Sequence, residues 1–181
     1  MDRQQAYDLL CEFTKGESLR RHALAVEAAM RACAPGHGGD PELWGVTGLL
    51  HDFDYEMYPS EHPLRGSDIL KERGVGEDIR RAILGHVPAT NVPRDTEMAR
   101  ALFACDELCG FVMACAMVRP TRLAGMEASS VRKKMKDKAF ARGVMREDII
   151  SGAAELGVDL NEHVSFVIAA LTTVAADLGL A

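Results

Sequence analysis

The sequence predicts an all-α protein. Apolar residues recur at three- and four-residue steps along almost the whole chain, no stretch keeps up the alternation of a half-buried strand, and glycine and proline gather at the breaks. With 181 residues the chain can bury one substantial core but is short for two, so a single domain over 1–181 is expected. Its core would span about 17–140, with helices from 141 to 181 packed against it.

Helices are predicted over 2–14, 17–33, 40–51, 62–73, 76–86, 96–117, 128–140, 146–156 and 160–178. The opening MDRQQAYDLL carries charges throughout and lacks the apolar stretch of a secretory leader, which predicts a chain retained in the cytoplasm. Ser18 is the expected N-cap of the second helix, where His22 shares a stripe with Leu19, Ala25, Val26 and Ala29. Asp40 followed by Pro41 predicts a capped start for the third, which carries Trp44 into the core and ends in GLL followed by His51-Asp52. The fourth begins at His62, and Gly74 is its expected stop.

In the fifth helix His86 follows Ile79, Ala82 and Ile83 on one stripe. The sixth is the most apolar, yet Asp106 and Glu107 interrupt ALFACDELCGFVMACAMV and leave too few uncharged residues to span a bilayer. The seventh opens the charged run VRKKMKDKAFARG, which reads as a solvated helix face or, alternatively, as a patch that meets an anionic substrate. Gly157 separates the last two, and His163, among Leu160, Phe166 and Val167, reads as a hydrogen-bonded core residue. Residues 141–181 show no chemistry of their own.

Twenty-one Lys and Arg against 27 Asp and Glu give a net charge of −6. That balance argues against nucleic-acid polymers and membranes as partners and leaves room for a small, locally bound anion. The five cysteines, at 11, 33, 105, 109 and 115, form no CxxC pair and read as reduced core residues.

Asp106 shares its stripe with Leu102, Phe103, Cys109, Gly110 and Met113, and a carboxylate on a buried face demands a partner. His22, His51, Asp52, His62, His86 and Asp106 all fall at helix ends or on inward stripes. Imidazole nitrogen together with carboxylate oxygen suits zinc, manganese or iron, whereas calcium prefers oxygen alone and structural zinc recruits thiolates. Six donors exceed what one ion takes while keeping a place for water. Two metals sharing a carboxylate would use them all.

The order His22, His51-Asp52, Asp106 resembles the HD superfamily of metal-dependent phosphohydrolases. EHPLRGSDIL, with His62, and IRRAILGHV, with His86, resemble the additional histidine segments of its two-metal branches. The string LWGVTGLLHDFDYEMYPSEHPLRG, with ACDELCGFVMACAMVRP and SVRKKMKDKAFARGV, is similar to the small stand-alone predicted hydrolases of that superfamily over about residues 17–140.

The resemblance implies an HD-type helical bundle with one or two divalent transition metals, among iron, manganese, zinc, cobalt and nickel. One ion would be held by His22, His51, Asp52 and Asp106, and a second would share Asp52 and add His62 and His86. Water activated there would attack the phosphorus of a small anionic phosphorylated substrate, a phosphoester or nucleotide. Asp54 and Glu56 would act as general acid or orient the histidines, or else belong to a solvated loop capping the next helix. Tyr55 and Tyr58 are expected to close the pocket.

Cyclic di-GMP enzymes of the superfamily follow HD with glycine and lysine, where this chain has Phe53, Asp54 and Tyr55; it also lacks a double histidine after Gly85 and a GYP segment. Cyclic di-GMP is therefore not the expected substrate. The phosphate-binding role falls first to Arg65, then to Arg119, Lys133 and Lys134. The same ligands admit two other classes: a di-iron oxygenase acting on an organophosphonate or polyol, and an inactive HD fold that binds a nucleotide or partner.

Overall fold

Asp2 starts the first helix with a reciprocal cap: its carboxylate accepts the Gln5 N–H, and the Gln5 side chain accepts the Asp2 N–H. In the computed structural model, which describes residues 1–181, nine helices follow in order. They are α1 (Arg3–Phe13), α2 (Glu17–Cys33), α3 (Pro41–Leu50), α4 (Leu64–Glu72), α5 (Glu77–His86), α6 (Glu97–Met117), α7 (Ala128–Met135), α8 (Arg146–Leu156) and α9 (Leu160–Thr173). Two short 3₁₀ turns, Ala34–His37 and Pro88–Thr90, complete the secondary structure, and there is no strand. The fold is all-α. No helix is long and apolar enough to cross a membrane.

Most boundaries follow the local chemistry. Asp40, Thr96 and Asp159 each accept backbone N–H groups from the helices they open. Gly157 closes α8 in the left-handed region at φ 77°, and Gly74 follows α4 at φ 75°. Four expectations need correction. Ser18 is not the cap of α2: Gly16 takes that place, and the Glu56 carboxylate, by binding the Lys15 and Gly16 amides, fixes the start of the helix ahead of Ser18.

His62 lies before α4 rather than in it. Pro63 follows directly, and a residue before proline is pushed out of the helical region. α7 stops at Met135 rather than 140, in a turn where Asp137 Oδ1 accepts the Ala139 N–H. α9 ends at Thr173 rather than 178. There the hydroxyls of Thr172 and Thr173 turn back onto the Ile168 and Ala170 carbonyls, at 2.7 Å each, and compete with the helix ladder.

α6 is the axis of the fold, packed chiefly against α2, α5 and α8, while α3 lies along α2. The buried apolar side chains form one continuous cluster that takes in Trp44, Phe53, Leu102 and Phe111. The α2–α3 contact is unusually close at one point. A Cβ on Gly48 would stand 2.8 Å from the Val26 carbonyl oxygen, so only glycine lets the two backbones meet there. His22 is one turn before Val26 and His51 one turn after Gly48; the close approach sets these two histidines side by side.

The five cysteines are free thiols, and all but Cys11 are buried. His163 is buried with Nε2 3.0 Å from the Ala104 carbonyl, as a hydrogen-bonded core residue.

Candidate metal centre

Five parts of the chain deliver the polar groups to one place. α2 brings His22, the turn after α3 brings His51 and Asp52, the turn before α4 brings His62, the last residue of α5 is His86, and Asp106 projects from the middle of α6. His22 Nε2 lies 3.2 Å from His51 Nε2 and 3.0 Å from Asp106 Oδ1, which is itself 3.3 Å from His51 Nε2. Asp52 faces two ways. Its Oδ2 is 3.4 Å from His51 Nε2, while its Oδ1 is 3.2 Å from both His62 Nε2 and His86 Nε2.

The other ring nitrogens explain why Nε2 points inward. His51 Nδ1 donates to the Gly48 carbonyl at 2.8 Å, and His86 Nδ1 donates to the Ile83 carbonyl. A carbonyl can only accept, so the proton sits on Nδ1 and the lone pair on Nε2 faces the cluster. His62 Nδ1 lies 2.7 Å from Asp54 Oδ1, and the other oxygen of Asp54 accepts the Gly66 N–H at 2.8 Å. Asp54 is fully buried in this role. A Cβ on Gly66 would fall 2.6 Å from its carboxylate carbon, so this glycine leaves the room Asp54 needs.

Such a donor set fits a divalent transition metal. Atoms held about 2.0–2.2 Å from one ion lie roughly 3.0–3.5 Å from each other. The separations above fall in that interval, and His22, His51 and Asp106, like His51, Asp52 and His86, form compact groups able to hold an ion. Backbone or carboxylate support behind three of the imidazoles is the arrangement that orients metal-binding histidines.

The electrostatics are those of a site built for positive charge. Burial opposes ionisation of His51, but Asp52 and Asp106 outweigh it and raise its pKa well above the ordinary value. The same competition, burial against Asp52 and Asp54, leaves His62 at about 9. Asp52 and Asp106 are held well below the usual carboxylate range because the facing histidines override their burial. Without a metal, protons on His51 and His62 take its place.

The cluster opens into a cavity of about 520 Å³. Tyr55 lines it and meets the His62 ring edge-on at 5.4 Å, while Tyr58 lies behind, against Phe13 and Arg65. The cavity also contains groups that sequence patterns did not single out: Glu107, Val144, Met145 and Asp148. Burial and the neighbouring Asp106 push Glu107 up to about 7, and its Oε2 accepts the Met145 N–H at 3.1 Å. Glu107 stood beside Asp106 within an apolar run; the adjacent carboxylate was the available signal. Nothing local announced Met145 or Asp148, which tertiary packing alone brings from the α7–α8 loop and α8.

Other sequence-derived candidates lie elsewhere. Glu56 is not in the cavity: its Oε2 accepts the amides of Lys15 and Gly16 at 2.7 and 2.9 Å, so it anchors the entry to α2. Arg65 is exposed with its guanidinium over the Tyr58 ring. Arg119, Lys133 and Lys134 share a different cavity, formed by the end of α6 and by α7. No lysine or arginine lines the His/Asp cavity at all.

The sequence matches a known family. Residues 19–110, just over half of the chain, match the HD domain. A protein named Ribonuclease Y from Nitratidesulfovibrio vulgaris, strain DP4, is 34% identical over 98 residues, and that of strain Hildenborough matches equally. The match takes in 52% of this chain and only 18% of either relative. The chain thus corresponds to less than a fifth of these ribonucleases' length. The match across α2 to α6, which contains all six clustered histidines and aspartates, places the chain in the HD domain family, a superfamily of metal-dependent phosphohydrolases.

Proposed function

We propose that this protein is a metal-dependent phosphohydrolase that cleaves a small phosphoester or nucleotide at a binuclear site. One observation carries the reading: the two oxygens of Asp52 divide between His51 on one side and the His62–His86 pair on the other. In this reading His22, His51 and Asp106 hold one ion, His62 and His86 the other, and Asp52 joins them. Divalent metals supply Lewis acidity toward a phosphoryl oxygen and acidify water at neutral pH.

The chain's own residues set the rest. Asp54 fixes the His62 ring through Nδ1. Tyr55 covers the outer side of that ring. Val87, Pro88, Val144 and Met145 give the cavity apolar walls, which exclude water from the remainder of the substrate. With no lysine or arginine in the lining, the phosphate's charge would be met at the metals alone. A cavity of about 520 Å³ is of the size that takes a small molecule.

The test is turnover by purified protein loaded separately with manganese, iron, cobalt and zinc. The panel includes phosphomonoesters, nucleotides and, because the relatives are named ribonucleases, a short oligoribonucleotide. Release of phosphate or nucleoside by wild type, and none by Asp52→Ala, is the expected result. Silence across every metal and substrate overturns it; oxygen uptake by the iron form on a phosphonate or polyol moves the protein to the oxygenase class.

A further inference from the structure

Much of the positive charge of this chain is gathered in one segment. Residues 119–146 contain nine Lys and Arg against two carboxylates, Glu127 and Asp137, although the whole chain is at −6. None of those nine cations forms an ion pair; every arginine that does so lies between Arg3 and Arg100.

Three of the unpaired cations, Arg119, Lys133 and Lys134, line one cavity of about 380 Å³ with Ser130, Cys115 and Asp137. That volume lies within the range of small-ligand sites. Arg119 is half-fixed: its Nη2 donates to Thr121 Oγ1 and the Ala124 carbonyl, leaving Nε and Nη1 without a protein partner. Lys134 Nζ sits 4.7 Å above the Phe140 ring, which holds the ammonium without neutralising it. Burial pushes the Cys115 thiol up to about 11, so at neutral pH it adds no negative charge. Asp137 is left as the cavity's single anion.

This cavity shares no lining residue with the one at the metal centre. Along α6, Cys115 is nine residues beyond Asp106. At about 100° and 1.5 Å per residue, that is roughly half a turn around the helix and roughly 13 Å along it. The two cavities therefore open on different sides of α6.

We propose that the Arg119–Lys133–Lys134 cavity is a second binding site, for the phosphate group of a small anion, separate from the metal centre. An arginine with free donors in a fixed orientation and two ammonium groups supply the donors that a phosphate group requires. The proposal is independent of the hydrolase reading, because its measurement is binding rather than turnover.

Calorimetric titration of the metal-loaded protein with inorganic phosphate at about 0.15 M salt tests it, since diffuse attraction is screened there beyond about 8 Å. One saturable site is expected in Asp106→Ala and in Asp52→Ala, where the metal centre is disabled, and wild type shows the same site beside any binding at the metals. Lys133→Glu and, separately, Arg119→Gln should weaken it about tenfold or more with an unchanged thermal midpoint. Adenosine monophosphate in Asp106→Ala identifies the source: tighter binding than phosphate assigns the site to an ester, equal binding to free phosphate. No saturable binding in wild type overturns the proposal. So does binding that persists in both cavity variants and vanishes in both metal-centre variants.

Discussion

Asp54 holds His62 from behind: its Oδ1 stands 2.7 Å from His62 Nδ1, while its second oxygen is fastened to the Gly66 amide. The ring is thereby turned so that Nε2 faces Asp52. Replacing Asp54 by Asn leaves the shape but sets an NH₂ against either the ring N–H or the Gly66 N–H. Metal affinity should fall about 10–100-fold, read as metal content after dialysis against a graded chelator. Unchanged affinity would remove Asp54 from any orienting role.

Gly48→Ala probes the register that pairs His22 with His51. The added methyl meets the Val26 carbonyl at 2.8 Å, and a backbone oxygen cannot swing aside. The helices must part, at a cost of about 1–3 kcal/mol, and metal retention should fall with stability. A variant as stable as wild type in chemical denaturation would show that the α2–α3 contact is softer than its geometry.

Metal uptake by stripped protein should strengthen as pH rises through neutrality toward 9. His62 without metal holds its proton up to about 9, so an incoming ion must displace that proton. Below that value protons compete, and above it the competition ends. Calorimetry in buffers of different ionisation enthalpy reads the protons released; zero release at pH 7 contradicts the assignment.

Glu107 ties the loop before α8 to α6 by accepting the Met145 amide. Glu107→Ala frees Val144 and Met145 at the cavity wall and should raise KM several-fold, on the order of 1 kcal/mol of lost hydrogen bonding. Glu107→Gln keeps an acceptor and should rescue most of KM. If Gln is no better than Ala, the carboxylate acts through its charge.

The fold and the polar cluster were legible to different depths. Helical periodicity revealed all nine helices, because each buries one stripe, and Asp106 announced itself as a carboxylate on such a stripe. His51-Asp52 stood out because an apolar helix ran directly into it. What misled was the short range of sequence patterns. Glu56 sits four residues after Asp52 yet belongs to the entry of α2, some forty residues earlier in the chain. Arg65 follows His62 by three residues but turns outward onto Tyr58. Asp148, in a region with no readable chemistry, reaches the cavity only because α8 packs along α6.

The anchoring of Glu56 has a further consequence. Its carboxylate takes both the Lys15 and the Gly16 amides, so those two protons are shielded only while the 51–57 turn keeps its shape. In hydrogen–deuterium exchange they become a reporter of opening at His51 and Asp52, read from backbone that touches neither residue. The N–H groups of Gly16 and Lys15 hold the Glu56 carboxyl below its usual range. The same latch therefore holds above the ordinary glutamate pKa and loosens as acid protonates it.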